Sequence, residues 1–89
     1  MQAPDGASPA RRRALEALAG GDELTAIRLL RGDVASLTRG SRDWAQSAWL
    51  LGSALIRVSW EVEGTGWLDE AGAVLDALGV ERPRLPPEG

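Results

Sequence analysis

Cysteine and histidine are both absent from the 89 residues. Without them the chain can form no disulfide and offers no thiolate or imidazole ligand for a transition metal. It also lacks the two side chains that most often serve as nucleophile and general base. Lysine, asparagine, tyrosine and phenylalanine are missing too, so all ten basic residues are arginine and the four tryptophans are the only aromatics. Chemistry at neutral pH would rest on carboxylates, hydroxyls and guanidinium groups, with no glycine-rich phosphate loop. No enzyme activity, cofactor or metal is therefore expected. No segment approaches the ~18 apolar residues of a membrane span, and the opening MQAPDGASPARRR lacks the apolar core of a signal peptide, so a cytoplasmic protein without membrane attachment is expected.

What remains has an ordinary globular balance, 44% hydrophobic and 26% charged, in a chain long enough for one small domain. The net charge of −3 is unevenly placed. Residues 1–42 carry seven Arg against five acids, and residues 43–89 carry three against eight. A molecule so polarised can pair with an oppositely patterned partner or with itself, whereas the overall acidity disfavours nucleic acid.

Helical punctuation divides the chain. Residues 1–7 have little to bury and are expected to stay flexible. Ser8-Pro9 supplies an N-cap and a proline at the first helical position, and Ala10, Ala14, Leu15 and Leu18 form one stripe before Gly20-Gly21. Asp22 caps a second helix along Leu24, Ile27, Leu30, Val34 and Leu37, with Gly32-Asp33 expected to break or re-cap it. Ser41 caps a third. A fourth carries Leu68, Ala71, Leu75 and Leu78 and stops at Gly79 in a Schellman motif, with Val80 folded back on Leu75. Residues 81–89 follow as an extended, Pro-rich tail containing PxxP at Pro83–Pro86. The expected architecture is all-α: a four-helix bundle of two helical hairpins within residues 8–80, with a long third helix.

The segment IRVSWEVE, Ile56 to Glu63, alternates apolar and polar residues as a half-buried strand does. It also continues the helical register of Trp44, Ala48, Leu51 and Leu55 through Val58 and Val62. A lone strand would leave its backbone groups unpaired, so the helical reading is adopted, with a third helix running from residue 42 to about 63 and a turn at Gly64-Thr65-Gly66. The alternative is a strand that pairs across a dimer.

In the second half, Leu51-Gly52, Leu55, Ala71, Leu75, Leu78 and Pro83 resemble the tetratricopeptide helical-hairpin pattern. Ala48 stands where that pattern has tryptophan, and the interval from Gly52 to Ala71 is longer than the pattern's. The resemblance implies stacked helical hairpins and peptide or protein binding on one helical face.

Trp44, Trp49, Trp60 and Trp67 are read first as core. Trp44 and Trp49 nevertheless lie on different stripes of the third helix, and Leu50 projects from a side otherwise polar with Asp43, Ser47 and Arg57, so that helix offers more apolar surface than one small bundle hides. Trp49, Leu50, Ile56 and Trp60 are the candidate contact residues, for a homodimer or another protein partner. Arg11, Arg12 and Arg13 open the first helix and read as a solvated face that could also meet the acidic helices of a second copy. Glu61, Glu63, Asp69 and Glu70 have no calcium-loop spacing. A non-catalytic protein–protein interaction module, self-associating or an adaptor, is the function expected; a small DNA-binding regulator using the Arg-bearing first and second helices is the alternative.

Overall fold

The computed structural model describes residues 8–87; the expected flexible segment 1–7 and the last two residues of the tail lie outside the described part. Four helices follow one another: α1 (Pro9–Ala19), α2 (Glu23–Ser36), α3 (Arg42–Arg57) and α4 (Glu61–Leu78). They form two helical hairpins, α1–α2 and α3–α4, joined by the packing of α2 on α3. No strand occurs among the described residues, as the helical periodicity requires.

Local chemistry fixes most helix ends. Ser8 accepts the Arg11 N–H ahead of Pro9, Asp22 accepts the Thr25 N–H, and Ser41 accepts the Trp44 N–H. Gly21 takes φ 85° so that the Asp22 N–H can reach the Ala17 carbonyl at 2.8 Å. At the end of α4 the Val80 N–H bonds the Leu75 carbonyl at 2.9 Å across the left-handed Gly79, which is the Schellman stop expected there.

Three boundaries differ from the sequence expectation. Gly32-Asp33 does not interrupt α2: Gly32 sits on the exposed side, where a mid-helix glycine costs only about 1 kcal/mol, and Asp33 finds its partners outside the helix. The third helix does not run to residue 63. It stops at Arg57, where Ser59 takes φ 70° and lets the Trp60 N–H bond the Leu55 carbonyl at 2.8 Å and the Ser59 N–H bond the Ile56 carbonyl at 2.9 Å. This is a Schellman end with serine in the place usually held by glycine. Ile56 to Glu63 is therefore neither continuous helix nor strand.

The third difference follows from the second. Gly64-Thr65-Gly66 lies inside α4, the longest helix at 18 residues against 16 for α3. Gly64 serves close packing here: a Cβ on it would lie 2.8 Å from the Gly52 carbonyl oxygen, and one on Gly52 would lie 2.8 Å from the Gly64 carbonyl oxygen. A turn at Ser59 brings these two glycines together and lets α3 and α4 approach backbone to backbone.

α3 is the central helix. Trp44, Ala45, Ser47, Ala48, Leu50, Leu51, Ala54 and Leu55 are all buried, packed with Ala14 and Leu18 of α1, Ala26, Ile27, Leu30 and Val34 of α2, and Ala71 and Leu75 of α4. Each fully buried leucine contributes roughly 1.5–3 kcal/mol relative to exposure. The tail does not hang free, because Val80 and Leu85 pack against this core.

Candidate interaction site

Two of the expected contact residues belong to the interior. Leu50, assigned to a contact surface because its neighbours on α3 are polar, is 1% exposed. Arg11, assigned to a solvated face, is 5% exposed. One network explains both corrections. The Arg11 Nη1 donates to the Asp43 carbonyl at 3.1 Å and to Ser47 Oγ at 3.2 Å, while its Nη2 lies 3.5 Å from Asp43 Oδ1. Ser47 in turn donates to Asp33 Oδ2 at 2.5 Å, and Ser8 donates to Asp33 Oδ1 at 2.9 Å. The polar side of α3 thus faces α1 and α2, which supply its hydrogen-bond partners, and Leu50 is buried beside it.

A serine hydroxyl on a carboxylate invites comparison with an activated nucleophile. Ser47, however, is wholly without solvent access, and Asp33 accepts from two hydroxyls at once. The cluster clamps α1, α2 and α3 together, since Ser8–Asp33 joins α1 to α2, Ser47–Asp33 joins α3 to α2, and Arg11 joins α1 to α3. No motif in the sequence marked this clamp; Ser8-Pro9 identified a cap, and the long-range partners come from the tertiary fold.

On the opposite flank, α2 and α4 are bridged by ion pairs. Arg31 donates to both carboxylate oxygens of Glu63, with Nη2 at 3.0 Å from Oε1, and Arg39 pairs with Glu70. The hydrogen bonds from Arg31 hold the Glu63 carboxyl below the usual glutamate range, helped by the Trp67 indole N–H, and the same contact raises the Arg31 guanidinium. Beneath these pairs Trp44 is buried, its ring tilted 54° to Trp67 at 6.3 Å, with the Arg39 guanidinium 5.3 Å above it. Two of the acids placed around the expected turn are therefore tied to arginines. Among the described residues no group of three or more acids could hold a metal ion.

Ile56 and Trp60 do reach the surface. Trp60 is 48% exposed, Ile56 is on the edge of exposure, and Val62, which the continuous helical register placed in the core, is 93% exposed. The new phase that α4 adopts after Ser59 turns Val62 outward. Leu24, also expected inside, is 63% exposed in the first turn of α2. The Arg31–Glu63 pair fixes the relative level of α2 and α4, and Leu24 and Trp60 lie seven and three residues before their partners in that pair. The first turns of α2 and α4 and the last turn of α3 consequently share one end of the bundle, and that end carries Leu24, Ile56, Trp60 and Val62.

Trp49, the remaining aromatic candidate, is half-buried under the tail, with the Arg82 guanidinium 5.0 Å above its ring. Arg12 and Arg13 are exposed on α1. No described helix is long and apolar enough to cross a membrane. No protein-family model, curated protein or solved structure matches the chain.

Proposed function

We propose that this chain is a non-catalytic protein-interaction module that self-associates through the corner where α3 turns into α4. The observation that carries the reading is the 93% exposure of Val62 beside the half-exposed Trp60, at an end of the bundle that also presents Ile56 and Leu24. Several large apolar side chains exposed at one end of a small bundle suit a contact site, and tryptophan is enriched among the residues that dominate binding. Arg28 and Glu61, both exposed, belong to the same end. Opposite exposed charges at one end are compatible with the self-complementary contact that a two-fold dimer needs.

Size sets the expected strength. A stable interface buries about 800 Å² per partner, and the four apolar side chains of the corner cover less than that. Association in the micromolar range, with rapid exchange, is the result. Sedimentation across roughly 10–500 μM should show a rising weight-average mass for the wild type. Val62→Glu should hold the protein at monomer mass over the same range while leaving its helical circular dichroism intact. A wild type that stays monomeric at the highest concentration removes the proposal.

A further inference from the structure

Residues 80–87 leave α4 without regular secondary structure and fold back over α3 and α4, where they are held by specific contacts. The Arg82 guanidinium lies 5.0 Å over the Trp49 ring while its Nη2 bonds Asp76 Oδ2 at 3.1 Å. Farther along, Arg57 Nη2 donates to the Pro86 carbonyl at 3.1 Å, and Leu85 packs on the core between these two anchors. Gly72 leaves the space: a Cβ there would meet Trp49 Cζ3 at 3.2 Å and Arg82 Nη2 at 3.4 Å. An open groove of about 370 Å³ continues beside Arg82, lined by Trp49, Leu68, Asp69, Gly72 and Asp76.

An indole face, a carboxylate aimed at a guanidinium and an arginine that binds a backbone carbonyl are the parts with which proteins recognise extended Arg- and Pro-bearing peptides. Prolines at 83, 86 and 87 stiffen the tail toward the polyproline conformation, so little chain entropy is lost when it docks. Asp69 adds a second exposed acid to the groove.

We propose that the seat of the tail, from Trp49 and Asp76 to Arg57 with the open groove at its edge, is a binding site for an extended Arg-Pro-x-Leu-Pro segment of a protein partner, and that the chain's own Arg82–Pro86 occupies this seat until such a segment displaces it. The Trp49, Gly72 and Asp76 end of this seat lies away from the α3–α4 corner, although Pro86 reaches Arg57 in the last turn of α3; the readouts at Trp49 and Gly72 report on the inference whether or not the corner self-associates. Because the tail is covalently attached a few residues away, its effective concentration at the groove is on the order of millimolar, and a competing segment binds the intact chain with its affinity reduced by that occupancy.

The test uses the full chain and a synthetic peptide of residues Glu81–Pro87, followed by the Trp49 indole and Gly72 amide signals in nuclear magnetic resonance. The Arg82→Ala chain should bind the peptide about 10-fold or more tightly than the wild type does, since its own anchor is gone. The wild type should show the same shifts at higher peptide concentration. A peptide carrying Arg82→Ala should not bind, whereas one carrying Arg84→Ala should bind unchanged, because Arg84 points to solvent. The wild-type measurement and the peptide substitutions need no altered protein, so a folding defect in the Arg82→Ala chain would not obscure the outcome. Absence of saturable shifts at Trp49 and Gly72 with millimolar peptide, or equal binding of the two substituted peptides, would overturn the inference and leave the tail as a fixed strap.

Discussion

Single residues decide where this molecule is firm. Asp33 holds the hydroxyls of Ser8 and Ser47 and, through Ser47, the guanidinium of Arg11. Removing it leaves the buried Ser47 hydroxyl and the part-buried Ser8 hydroxyl without their acceptor, while Arg11 keeps its contact with Asp43. Asp33→Ala should therefore lower unfolding free energy by about 2–4 kcal/mol in a urea titration, whereas Arg12→Ala on the exposed side of α1 should change it by less than about 0.5 kcal/mol. Near-equal effects would mean that the clamp is not formed. Titration gives a second prediction. The Asp22 carboxyl, held down chiefly by its hydrogen bonds from Thr25, and the Glu63 carboxyl, held down chiefly by Arg31, both have lower pKa values folded than unfolded. The folded chain therefore binds fewer protons, and the stability they contribute is present above the ordinary carboxylate range and lost as pH falls through the depressed values. Melting temperature should drop on acidification below about pH 4, and Glu63→Gln should make that decline slightly shallower, by the small amount expected of an exposed pair. Both side chains lie at the surface, so a steep loss of structure would have to come from other carboxylates.

At the scale of elements, patterning and punctuation made most of the fold legible. The caps at Ser8, Asp22 and Ser41 and the stop at Gly79 are local chemistry, and the structure has a helix boundary at each. The α3–α4 boundary was illegible for a physical reason. The residue that turns left-handed is Ser59, while the segment that looks like a turn, Gly64-Thr65-Gly66, spends Gly64 on close helix packing. Glycine marks both a positive φ and a close backbone approach, and only tertiary contacts separate the two uses. That difference is measurable. Gly64→Ala should destabilise the protein by about 1–3 kcal/mol, because its Cβ would press into α3. Gly66→Ala, exposed in the same helix with nothing within 4 Å of a Cβ, should stabilise it by roughly 0.5–1 kcal/mol. If both substitutions destabilised, residues 64–66 would be a turn after all.

The whole molecule keeps its apolar excess in a different place from the one that helix periodicity implies. A long third helix was expected to carry exposed apolar surface along its flank, but α1, α2, α4 and the tail between them cover α3. Of the four apolar contact candidates, Leu50 is interior, Trp49 sits beneath Arg82, and Ile56 and Trp60 remain at the surface with Val62 and Leu24. The candidate site was half legible because exposure follows from which helices meet, and a sequence of 89 residues shows each helix's own stripe without showing what covers it. The proposed corner contact has a direct readout in the four tryptophan indole N–H signals, one for each side chain, followed through a dilution series by nuclear magnetic resonance. The account predicts that the Trp60 signal shifts with protein concentration while those of Trp44, Trp49 and Trp67 stay in place. Concentration-dependent movement of Trp49 with Trp60 fixed, or no movement of any of the four, would contradict it.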